Sequence, residues 1–106
     1  MTYDEKSAAQ ALSALGHEVR LQVFRLLVRA GDKGLSVGEI GTHLGVPPST
    51  LAHHLSALVQ AGLVVQERQG RIVFNHVDYA RMRALLTYVS SQCCAGIVPL
   101  IDDEVA

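Results

Sequence analysis

The chain has 106 residues, a formal net charge of −1, 49% hydrophobic and 18% charged residues. That length holds one domain with a modest core. Near-neutral charge excludes a protein that coats nucleic acid by bulk charge but leaves room for a local basic face, and no run of about eighteen apolar residues exists to span a membrane. So much apolar side chain on a small chain favours burial against a second copy.

The N-terminus is acidic and lacks a signal-peptide pattern. With two adjacent cysteines that make no disulfide framework, the chain is expected in the cytoplasm. Residues 4 to 15 (DEKSAAQALSAL) predict a short helix with acids at its N-terminal end, where they complement the helix dipole. Ala8, Ala11, Leu12 and Leu15 form its apolar stripe. After Gly16 the spacing predicts a second helix from about Glu18 to Ala30, with Val19, Val23, Leu26, Leu27 and Ala30 facing inward. Arg20 lies early enough on it to reach a phosphate. GDKG (31–34) is a turn. Ser36 then caps a short helix, VGEIGTHLG, with Glu39 at capping-box distance.

The stretch LGVPPSTLAHHLSALVQAGL (44–63) carries the strongest functional signal. Leu51, Leu55, Leu58 and Val59 follow the helical period. The opposite face holds Ser49, Thr50, His53, Ser56 and Gln60, small hydrogen-bonding groups without a carboxylate. Pro47 and Pro48 sit where a helix begins, and Gly62 stops it. A short helix, a tight turn and such a helix make a helix-turn-helix, whose second helix is suited to base edges in a major groove. Next comes LVVQERQGRIVFNHV, two strand-forming runs around Gln69-Gly70, with Arg68 and Arg71 flanking the tip. A hairpin in this place is a wing, and its arginines can grip phosphates or enter a minor groove. Glu67 is the only acid between Ile40 and Val77, as an electrostatic footprint on DNA requires. The DNA-contacting set is therefore expected to be Pro48, Ser49, Thr50, His53, His54, Arg20, Arg68 and Arg71.

From Asp78, a good N-cap, DYARMRALLTYVSSQCC turns helical again. Its apolar stripe, together with the first helix, supplies a dimer surface expected to include Leu12, Leu15, Met82, Leu85, Leu86 and Val89. The tail from about residue 97 is acidic and expected to be loosely ordered. The fold expected is a mainly α chain with a β-hairpin (α+β). It is a winged helix-turn-helix in the order α-α-α-α-β-β-α, one DNA-binding and dimerisation domain over 1–106, paired through its first and last helices.

The segments HEVRLQVFRLL (17–27), STLAHHLSALVQAGLV (49–64) and the QGR tip resemble the ArsR/SmtB family of winged-helix repressors. The resemblance implies a cytoplasmic homodimer on operator DNA that leaves it when a metal or metalloid binds. The family's cysteine box at the start of the first helix of the helix-turn-helix is absent, since that place reads LSVGEI. The zinc-sensing branch uses Asp and His ligands on the last helix; Asp78 and His76 are present, but no second histidine follows them along it. The context TYVSSQCCAG is similar to arsenic-responsive members with cysteines at the end of the last helix, some of which add a third that this chain lacks.

Cys93 and Cys94 are thus the expected ligands. Soft thiolates select thiophilic centres, and neighbouring Cα atoms about 3.8 Å apart make an internal disulfide strained. On a helix, successive side chains diverge by roughly 100°, so gripping one atom would require the last turn to fray. No constitutive cofactor is expected. The expected inducer is a trivalent arsenical, either arsenite or an organoarsenical such as methylarsenite, or antimonite. Two alternatives stay open: a response to another thiophilic metal or thiol-redox signal, and a constitutive DNA-binding protein whose cysteines only pack. No phosphate-binding glycine loop, nucleophile elbow or carboxylate pair suggests an enzyme.

Overall fold

A computed structural model describes residues 2–98. Helix α1 spans Glu5–Leu15 and starts from Asp4, whose carboxylate accepts from the Ser7 N–H at 2.7 Å while Ser7 caps back. The Ser7 hydroxyl, which donates to the same carboxylate at 2.7 Å, and then the Ser7 N–H hold the Asp4 carboxyl below its ordinary range. Ala8, Ala11 and Ala14 form the buried face of α1, so its small residues set a close approach to the core. Leu12, expected in the stripe, is left 47% exposed.

Helix α2 (Glu18–Ala30) buries Val23, Phe24 and Leu27 and is capped by His17, whose Nδ1 accepts from the Val19 N–H at 3.3 Å. A short 3-10 turn over Gly31–Lys33 follows. The expected turn is there, but it leads into a two-residue strand, β1 (Leu35–Ser36), that the sequence reading lacks. Gly34 makes this possible. Its φ is +67°, and a Cβ there would collide with the backbone carbonyl of Asn75 on the neighbouring strand.

Helix α3 (Val37–Leu44) has the predicted capping box: the Glu39 N–H donates to Ser36 Oγ at 3.1 Å and the Ser36 N–H donates to Glu39 Oε1 at 2.9 Å. Gly45, in the left-handed region, ends it. Helix α4 (Pro48–Gln60) begins directly after Pro47. Strands β2 (Val64–Gln69) and β3 (Ile72–Val77) form the hairpin, and β1 adds to β3, so the antiparallel sheet runs β1-β3-β2. The register pairs Val64 with Val77 and Gln69 with Ile72, so the two tip residues are Gly70 and Arg71, one position beyond the expected Gln69-Gly70, and Arg71 sits in the tip itself.

The base of the hairpin is fixed by Asn75, fully buried: its Nδ2 donates to the Leu35 carbonyl at 3.1 Å and its Oδ1 accepts from Gln66 Nε2 at 2.8 Å. Helix α5 (Tyr79–Ser90) starts at the predicted cap, Asp78, which accepts from the Arg81 N–H. Tyr79 Oη donates to the Val28 carbonyl at 3.0 Å, tying α5 to the end of α2.

The core between these layers is Val23, Leu27, Ile40, Leu51, Leu55, Leu58, Leu63 and Val77, all nearly inaccessible. Truncating one of its leucines to alanine costs about 2–5 kcal/mol. Leu85 also joins this core, at 3% exposed. It is therefore withdrawn from the expected dimer surface, because its side chain is spent inside the chain. Among the described residues no helix is long and apolar enough to cross a membrane. From residue 99 onward the expected loose tail lies outside the described residues.

Candidate nucleic-acid interface and thiol site

Helix α4 is sunk into the core by Leu51, Leu55 and Leu58. The remaining surface presents Pro48, Ser49, Thr50, His53, Ser56 and Gln60, all exposed. No acid occupies its first turn, so the unpaired N–H groups of the helix start face outward beside hydroxyls and an imidazole. This short-chain, uncharged surface can approach base edges closely.

His54 is not part of it. Its side chain is only 6% exposed, and its Nδ1 accepts from Arg20 Nε at 3.1 Å. The expected base contact by His54 is corrected accordingly. Position 54 stands three residues after Leu51 and four before Leu58, on the inward stripe, and its polarity hid that. The His17 ring lies 4.7 Å away, centroid to centroid, and the His53 ring 5.5 Å away. Burial first, then the positive charge that His17, Arg20 and His53 carry or can acquire, pushes the His54 pKa below its ordinary value. Arg20 is half-buried and so held by α4 itself.

Arg68 and Arg71 are exposed at the wing. Among the described residues Glu67 is in contact with His76 Nε2 at 3.0 Å and Asp78 with Arg81 at 3.9 Å, so neither wing arginine is paired with a carboxylate. The single acid of the wing is therefore answered by its strand neighbour His76, leaving the arginines as the unanswered charge of the tip. Asn75 and Gln66, which orient the hairpin, went unnoticed in the sequence. Their one signal was an amide inside an otherwise apolar strand.

Helix α5 ends at Ser90, before the cysteines, which lie in a turn rather than on a helical end. The Cys93 N–H donates to the Ser90 carbonyl, and Gln92 and Cys94 both take φ of +60°. In this conformation both thiols are exposed and their Sγ atoms stand 3.4 Å apart. The expected need for a helical turn to fray is thus corrected: the chain has already left the helix here, and the two sulfurs are in contact. Among the described residues no group of three or more His, Cys, Asp or Glu side chains is arranged around a metal ion. Leu12, Leu86 and Val89 remain exposed on α1 and α5. Leu15 and Met82 line an open groove of about 850 Å³ between α2 and α5, which also takes in Leu21, a residue the sequence reading passed over.

The helix-turn-helix domain family matches residues 15–67. The transcriptional activator HlyU of Vibrio cholerae is 32% identical over 93 residues, covering 85% of this chain and 83% of HlyU. A Halobacterium salinarum protein named as an arsenical resistance operon repressor, ArsR, is 42% identical over 60 residues, 57% of this chain and 46% of its own. Among solved structures, the homodimeric winged helix-turn-helix DNA-binding domain of a Mycobacterium bovis protein superposes with a TM-score of 0.64 at 29% identity, covering 88% of this chain and 91% of that one. The family model covers the helix-turn-helix, while the matches to HlyU in sequence and to the Mycobacterium bovis domain in structure each cover more than four-fifths of the chain. The chain belongs to the ArsR/SmtB family of winged helix-turn-helix transcriptional regulators, and is a regulator rather than an enzyme.

Proposed function

We propose that this protein is a cytoplasmic, homodimeric repressor that leaves its operator when a trivalent arsenical binds Cys93 and Cys94. The observation that carries the inducer is the contact of the two exposed sulfurs at 3.4 Å. With metal–sulfur bonds of about 2.3 Å, that separation subtends about 95° at a shared atom, below the roughly 109° of tetrahedral zinc. A pyramidal three-coordinate centre with a lone pair suits the narrower angle. Arsenite has three valences to fill, whereas a methyl-substituted arsenical has one occupied by carbon and is completed by two thiolates. Organoarsenicals are therefore at least as effective as arsenite in this reading. The likeness to a protein named as an arsenical resistance repressor supports the same class.

DNA contact is assigned to Ser49, Thr50 and His53 at bases, with Pro48 setting the helix start and Arg20, Arg68 and Arg71 on phosphate or in the minor groove. Dimerisation is assigned to Leu12, Leu15, Met82, Leu86 and Val89, with Leu21 added and Leu85 removed. The homodimeric relative supports it. The two recognition helices then stand about 34–36 Å apart on a palindrome. The thiols lie just after α5, so a centre bound there adds bulk and changes the charge at the end of a dimer helix, and through it that spacing.

Titrating the operator-bound protein with arsenite, a methylarsenical and zinc, read by fluorescence anisotropy, tests the proposal. Release by the arsenicals is expected; release by zinc alone would overturn it. HlyU, by name an activator, favours a second reading in which the same release raises or lowers transcription according to operator position.

A further inference from the structure

The Arg20–His54 contact joins two elements that the proposed DNA interface uses separately. We propose that His54 is a positioning residue for operator binding, whose neutral imidazole holds the Arg20 guanidinium in place for phosphate and seats α4 against α2. The inference rests on the phosphate contact assigned to Arg20 above.

Arg20 Nε donates to His54 Nδ1 at 3.1 Å. A guanidinium offers five N–H groups in a rigid plane, so one spent on His54 leaves the outer edge for an anion. A free arginine would lose rotamer freedom on meeting DNA; one already docked has lost it beforehand. The contact also demands a particular protonation state. Nδ1 accepts only in the neutral ring with its proton on Nε2, because imidazolium has two donors and no acceptor.

The titratable and charged groups bearing on that ring are His17 and Arg20 from the α2 side and His53 from its own helix. None is an acid, and burial adds to their effect, so the neutral form is the one the site is built around. The contribution is fully present above the ordinary histidine value near 6.5 and is lost as pH falls through the lowered folded-state value. Protonation turns an acceptor into a donor aimed at Arg20 and frees the guanidinium. His53 is exposed on the proposed DNA face, and the His17 ring accepts from the Val19 N–H at the start of α2. The His54 contribution is therefore read as a difference between variants rather than from the wild type alone.

The test uses the full chain and a fluorescent duplex selected by the wild-type protein from a random library, with anisotropy measured from pH 7.5 to 5.0. Arg20→Ala and His54→Leu are each expected to weaken binding about tenfold at pH 7.5, and the double variant little further. His54→Asn, which keeps an acceptor near the Nδ1 position and does not titrate, is expected within about threefold of wild type at pH 7.5. It should also lack the share of acid weakening that wild type shows. Should His54→Leu fail to fold, the pH profile of His54→Asn decides alone. Identical pH profiles for wild type and His54→Asn, or full additivity in the double variant, would overturn the positioning role. A loss on Arg20→Ala with none on His54→Leu overturns only this inference. No loss on Arg20→Ala removes the phosphate contact and this inference with it.

Discussion

Ser49, Thr50 and His53 ride on a helix whose other side is sunk in the core through Leu51, Leu55 and Leu58, whereas every residue from Val89 to Val98 is exposed. The first region is fixed by packing, by the Arg20–His54 bond and by the Asn75 bridge that sets the wing. The second is a turn closed by hydrogen bonds to the Tyr88, Ser90 and Gln92 carbonyls, with Gln92, Cys94 and Gly96 at positive φ. A surface that discriminates bases must hold its donors within a fraction of an ångström, and only a packed helix does so at low cost. A sensor must have two accessible arrangements separated by little free energy, which a lightly held turn provides. On the proposed reading, one chain places recognition where the fold is packed and sensing where it is lightly held.

The largest expected effect breaks the stiff side. Gly34→Ala puts a Cβ into the Asn75 carbonyl at a positive φ, so β1 must leave the sheet. Urea unfolding should show a loss of about 3 kcal/mol or more; a loss under about 1 kcal/mol would mean that β1 does not anchor the wing. Next in size is Arg71→Ala at the wing tip. It should weaken binding to all sequences and make the salt slope shallower by about one unit, with stability changed by less than about 0.5 kcal/mol. An unchanged slope would remove the wing from the interface.

A smaller effect is expected from pH. Because the His54 pKa is lowered in the folded state, unfolding free energy should begin to fall as pH drops below about 6.5, and His54→Asn should flatten that part of the curve. The Asp4 contribution, also a lowered pKa, is lost only further down, below the ordinary carboxylate value of 3.8. The smallest is on the yielding side: Cys93→Ser should leave stability within about 0.5 kcal/mol of wild type, since the residue is exposed and its sulfur contact is with the exposed Cys94.

The sequence made the helices and the wing legible because their signals are local: the Ser36–Glu39 capping box, Asp78 before an apolar stripe, and Gln69-Gly70 between strand-forming runs. What it hid depends on contacts across the chain. His54 looked like a second DNA-facing histidine until its Arg20 partner, 34 residues away, was visible. Leu85 and Leu86 both fit the stripe of α5, and only the packing separates the buried one from the one left 60% exposed. Strand β1 is two residues long and exists only because Asn75 and Gly34 meet it. The end of α5 was misplaced because Ser91 and Gln92 carry no strong stop signal, while the positive φ at Gln92 is adopted without a glycine.

The most direct test of the division between a stiff reader and a yielding sensor is operator release in the Cys93→Ser, Cys94→Ser double variant. Fluorescence anisotropy should give the same operator affinity as wild type without ligand, and no release when a trivalent methylarsenical is added at concentrations that strip wild type from DNA. Release from the double variant equal to that from wild type would contradict the account.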